Sequence, residues 1–140
     1  MIVIDENSPV MVRVGTDGAM SVVPLVLDEY DSAASALCYQ IGCRIFALAE
    51  LSEAIDVWTD EEILVYIDRH DPAALTGVIN TTATRIATRL GQALPVLGTA
   101  VFTSREAGRT IGLSGEQIAT LERLALASPV REVLTGEEVA

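Results

Sequence analysis

The sequence predicts an α+β (mixed α/β) domain: a mainly antiparallel sheet with about three helices packed on one face. Two observations lead there. Strand-like runs are separated by turn signals, the clearest being Gly15-Thr16-Asp17-Gly18. Between those runs lie three segments whose apolar residues recur at helical spacing, and strand blocks mixed with helices favour an antiparallel sheet covered by helices.

The elements follow in order. Val10–Val14 and residues 19–23 flank the Asp-Gly turn and read as a hairpin. Pro24 ends the second strand or places it at an edge, because proline cannot donate to a ladder. A helix is expected over residues 28–41, capped by Asp28 or Asp31, with Tyr30, Ala33, Ala34, Leu37, Cys38 and Ile41 on its buried face and Gly42 as its stop. Residues 44–51 form a nearly continuous apolar strand. Residues 55–58 and 63–67 read as two further strands around the polar turn Thr59-Asp60-Glu61-Glu62. Residues 68–72 read as a polar loop.

The second helix starts at Asn80, a residue suited to capping, carries Ala83, Ile86, Ala87 and Leu90 inward, and stops at Gly91. Residues 94–103 read as a strand and residues 108–112 as a turn. Ser114 and Gln117 form a capping box that opens the last helix, whose inner face is Ile118, Leu121, Leu124 and Ala125. Residues 128–140 read as a short acidic tail on a single domain spanning 1–140.

Composition narrows the function classes. Twenty acidic side chains stand against nine basic ones, a formal net charge of −11. Such a chain repels nucleic acid and anionic membranes and suits a partner protein with a basic surface, although plain solubility would also account for it. All nine basic residues are arginine, which is expected of GC-rich coding DNA. No apolar stretch approaches the ~20 residues of a membrane helix. Met1 is followed by a short strand-like run and then Asp5 and Glu6, so no secretory leader is expected and a cytoplasmic location is. Cys38 and Cys43 match no zinc or redox spacing and are expected as small core residues.

Catalytic signatures are sparse. His70 is the only histidine, and with Asp68 and Asp71 it is a weak metal candidate, since three loop neighbours rarely converge on one ion. Glu137 and Glu138, like Asp60 to Glu62, are adjacent carboxylates expected to face solvent rather than a cleft. No nucleophile–base set and no glycine-rich phosphate loop is present in the sequence. The expectation is a non-enzymatic protein with no cofactor and no metal. A divalent-metal phosphodiesterase built from Asp60, Glu61, Asp68 and Asp71 ranks last.

One cationic feature stands out. Arg85 and Arg89 lie four residues apart on the second helix, with Thr81 nearby and Asn80 at its N-terminus. A helix start beside arginine can hold a phosphate. Trp58, next to Asp60 and its turn, is a candidate stacking partner for a base. The candidate ligand-binding set is therefore Asn80, Thr81, Arg85, Arg89, Trp58 and Asp60. Against it stand a solvated or carboxylate-paired helix face and a tryptophan packed in the core.

The run Asn80-Thr81-Thr82-Ala83-Thr84-Arg85-Ile86-Ala87, then Gly91, Leu97-Gly98-Thr99-Ala100-Val101-Phe102-Thr103 and Gly112-Leu113-Ser114, resembles a family of small phage and actinobacterial proteins known only as domain of unknown function 3846. Ile41-Gly42-Cys43 and Trp58-Thr59-Asp60-Glu61 extend the likeness, which spans roughly residues 27–126. Glu62 departs from the family, which tends to place glycine there, so the resemblance does not define the shape of that turn. The resemblance implies a phage-encoded accessory protein and no chemistry. Two functions are expected from it and from the charge. The first is a host-takeover or anti-defence factor whose acidic surface blocks a host protein. The alternative is a sequestering protein for a nucleotide-like immune signal bound near Asn80, Arg85 and Arg89. A homodimer is expected, through the strand at Val10–Val14 or the last helix around residues 121–126, because the mean hydropathy of +0.40 exceeds what one small core would bury.

Overall fold

The computed structural model describes residues 8–63 and 70–126. Their elements run β1 (Val10–Val14), β2 (Met20–Pro24), α1 (Ala34–Ile41), β3 (Phe46–Glu50), β4 (Ile55–Asp60), α2 (Pro72–Val78), α3 (Thr81–Arg89), β5 (Ala100–Glu106), β6 (Arg109–Ile111) and α4 (Gly115–Leu126). The strands form one sheet in the order β2-β1-β5-β4-β3, with β6 on β5, and every pairing is antiparallel. The α+β class is as the sequence predicts, with four helices among the described residues rather than about three.

Period-two alternation divides the core. Val12, Val14, Ile55, Val57, Ala100 and Phe102 point to one face, where Ala83, Ile86 and Ala87 of α3 and Leu121 and Ala125 of α4 close over them. Met11, Trp58 and Val101 point to the other face, against Leu37 and Ile41 of α1. The helices therefore occupy two faces. α3 and α4 share one, and α1 covers the other because the central strands are apolar on both sides.

The first hairpin forms as expected. Gly18 adopts φ 89°, and the Asp17 carboxylate accepts from the Ala19 N–H. Pro24 sits opposite Val10 at the end of β2, an edge strand where its missing N–H costs nothing. α1 starts later than predicted. Asp28 instead accepts from the N–H groups of Tyr30 and Ser32, and Asp31 turns left-handed at φ 60°. Side-chain bonding of this kind competes with a helix, and it leaves Tyr30 82% exposed rather than on the buried face.

Two elements escape the sequence reading. α2 begins inside the predicted loop: Asp71 accepts from the Ala73 N–H, and Pro72 takes the first helical position. β6 pairs back on β5 through Ala107 and Gly108, both at positive φ, so β5 runs to Glu106 and part of the predicted 108–112 turn is strand. Residues 94–99 are not strand, although Leu97 makes an isolated bridge to Ile79. The capping box of α4 is present, with Ser114 accepting from the Gln117 N–H and Gln117 from the Ser114 N–H. β4 continues through Asp60 into the expected polar turn. The predicted strand over 63–67 lies mostly outside the described residues, and the acidic tail lies wholly outside them.

Candidate functional site

The residues singled out around α3 do different work from binding. Asn80 is fully buried and caps α3: its Oδ1 accepts from the Ala83 N–H at 3.0 Å, and its Nδ2 donates to the carbonyls of Val14 at 2.9 Å and Gly98 at 2.8 Å. Its backbone N–H donates to Val96 O. Every polar atom of Asn80 is thus engaged in joining α3 to β1 and to the segment before β5, and none is left for a ligand. Arg85 turns toward α4, where its Nη1 donates to Ala125 O at 2.6 Å. That carbonyl lies in the last described turn of α4, so the arginine ties α3 to α4. Thr81 is exposed at the start of α3, and Arg89 is half-buried at its end.

Trp58 lies on the far side of the sheet from α3. It is 8% exposed, packs edge-on against Phe46 with ring centroids 5.1 Å apart, and donates from Nε1 to Thr103 Oγ1 at 2.8 Å. Its neighbour along β4, Val57, faces α3; a one-residue step reverses the face. Trp58 cannot stack on a base held at Asn80 and Arg85. Asp60 is half-buried and accepts from the Glu62 N–H at 2.9 Å, which shapes the turn. In that turn Glu62 forms a bidentate pair with Arg44, with Oε2 2.8 Å from Nη2. The six candidates are therefore not brought into one site.

The weak metal candidate lies partly outside the described residues. Asp68 lies outside the described residues, and Asp71 is occupied in capping α2. Among the described residues no group of three or more histidine, cysteine or carboxylate side chains could hold an ion.

The sequence reading missed a buried ionic cluster at the turn between β3 and β4. Glu53 and Ala54 both turn left-handed there, at φ 61° and 58°. Arg105 on β5 holds the turn, donating to Ile55 O at 3.0 Å, to Leu51 O at 2.8 Å and to the Asp56 carboxylate. Burial pushes the Asp56 carboxyl above its ordinary value of 3.8; the Arg105 guanidinium opposes the shift without cancelling it. All the donors of this cluster that bear on the turn point to backbone or to Asp56, which makes it a structural clamp.

Two of the concave regions among the described residues are large enough to seat a side chain of a partner. One, of about 300 Å³, lies between β3 and residues 92–97 and includes Thr59, Asp60 and Glu61 at its polar side. The other, of about 340 Å³, lies between α1 and the chain leaving β2, lined by Pro24, Val26, Leu27, Asp28, Ser35, Ala36, Tyr39 and Gln40. Around this second groove Val26 is 64% and Tyr39 82% exposed. Asp28 stands in its wall, and the exposed Glu29 and Asp31 follow in the same turn. Its sequence signal was Val26 and Leu27, which follow the strand-ending Pro24 and the buried Leu25 and so have no sheet face to enter.

No protein-family model, no curated protein and no solved structure gives a significant match to this chain.

Proposed function

We propose that this chain is a non-enzymatic binding protein that seats its α1–β2 face on a basic surface of another protein. In the phage setting implied by the resemblance, that partner is a host protein whose function is blocked. The observation that carries the reading is the groove itself: exposed Val26, Leu27 and Tyr39 line it together with Asp28, and the exposed Glu29 and Asp31 follow Asp28 in the chain. Apolar anchors clustered on a surface favour association, and the acidic rim together with a net charge of −11 selects and speeds a basic partner. The nucleotide reading has less support, because Asn80 and Trp58 are spent on internal contacts and Arg85, whose buried Nε has no hydrogen-bond partner among the described residues, gives its Nη1 to Ala125 O.

Affinity capture from a bacterial lysate at low and moderate salt, then rebinding of the purified partner, tests the proposal. Leu27→Ala with Tyr39→Ala is expected to weaken rebinding about tenfold or more. Asp28→Lys with Asp31→Lys is expected to slow association and flatten its salt dependence. Arg109→Ala, on β6, is expected to change neither. Failure to retain any protein at either salt ends this reading.

A further inference from the structure

The C-terminal turn of α1 brings the two cysteines of the chain together. Gly42, at φ 79°, ends the helix, and the carbonyl of Cys38 accepts from the N–H groups of both Gly42, at 2.8 Å, and Cys43, at 3.1 Å. The longer return, from the residue after the glycine, belongs to the helix stop in which the two side chains at its ends meet. Those ends here are Cys38 and Cys43. A hydrogen bond of this length, with the fixed Cα–C–O angle, limits their Cα separation to about 7 Å, and disulfides span about 4.4–6.8 Å. The Cys38 thiol donates to Arg44 O at 3.8 Å and lies close enough to the Cys43 thiol to help burial, the larger cause, hold that thiol's pKa up at about 11. Both cysteines are half-buried and unbridged, and neither belongs to the fully buried core.

We propose that Cys38 and Cys43 form a dithiol site that is oxidised to an intramolecular disulfide by a low-molecular-weight disulfide. The first attack is assigned to Cys38, because burial disfavours the thiolate of Cys43. In the first step the Cys38 sulfur attacks the reagent RSSR, its proton leaves with the displaced thiol RSH, and a Cys38–S–SR bond forms. In the second the Cys43 sulfur displaces the remaining thiol, giving the Cys38–Cys43 bond and a second RSH. Two electrons pass from the cysteines to the reagent, and both thiol protons end on the two RSH molecules. The ring so closed contains Tyr39 and Gln40, which line the groove between α1 and β2. Oxidation therefore fixes one wall of that groove. The site stands whether or not the groove binds a protein.

Oxidised glutathione is the probe, and intact mass after thiol alkylation is the readout. The wild-type chain is expected to lose two hydrogen masses, to keep no alkylatable thiol and to carry no glutathione, and a proteolytic digest is expected to contain a peptide pair joined through Cys38 and Cys43. Cys43→Ser, which still offers the entry thiol, is expected to stop at one glutathione adduct. Wild-type protein that keeps two alkylatable thiols, carries glutathione on both cysteines, or links to a second chain under those conditions overturns the proposal.

Discussion

Single residues decide more here by what they satisfy than by what they expose. Asn80 closes one helix end and two backbone carbonyls from different parts of the chain. Asn80→Ala removes the cap and strands two buried acceptors, so a loss of about 2–4 kcal/mol is expected in urea denaturation. A loss under about 1 kcal/mol would mean that water replaces the amide. Asp56 gives a pH signature. Burial raises its pKa in the folded chain above the ordinary 3.8, so the native state binds its proton more tightly than the unfolded state. Its contribution to stability is then fully present below 3.8 and falls as pH rises through the raised value. Wild type measured against Asp56→Asn should therefore lose relative stability with rising pH across that window and stay level above it. Relative stability that rises instead would show that the Arg105 pair outweighs desolvation.

At the scale of elements, local chemistry was readable wherever one residue type has one strong preference. Asn80, Gly42, the Ser114–Gln117 box and the Asp17-Gly18 turn all mark boundaries that the structure keeps. Boundaries fixed by long-range pairing were not readable. β5 runs to Glu106 because β4 and then β6 supply its partners, and β6 is too short to show an alternation of its own. α2 was hidden because its seven residues bury nothing fully and so carry no helical stripe; only the Asp71-Pro72 pair signals it. The candidate site failed for a related reason. Sequence proximity to a turn does not say which face of β4 a side chain takes until the strand's register is known. The packing of β6 against the start of β1 yields a test at this scale. A Cβ on Gly112 would stand 2.8 Å from Pro9 Cα and 2.9 Å from Val10 N, backbone atoms that cannot swing aside. Gly112→Ala is expected to cost about 1–3 kcal/mol by thermal or urea unfolding, and Gly115→Ala, where nothing lies nearby, much less.

For the molecule as a whole, the sheet sets both the surfaces and the assembly. β1 lies between β2 and β5, so the dimer contact expected at Val10–Val14 has no open edge to use; β2 and β3 are the ends of the described sheet. Leu126, at the end of α4, is exposed, while Leu121 is buried. We expect self-association to run through β2, β3 or the exposed end of α4. Light scattering at tens of micromolar protein and moderate salt should then give a dimeric mass; a monomeric mass at both low and moderate salt removes the expectation. The two-sided core has an optical consequence. The single tryptophan belongs to the α1 layer alone, so its emission is a built-in reporter for that layer, blind by position to the α3–α4 layer across the sheet. Circular dichroism weighs all the helices together. If the fluorescence and ellipticity melting curves coincide, the sheet transmits cooperativity between its two sides. If they separate, their spacing measures how independently one half of this small protein can come apart from the other.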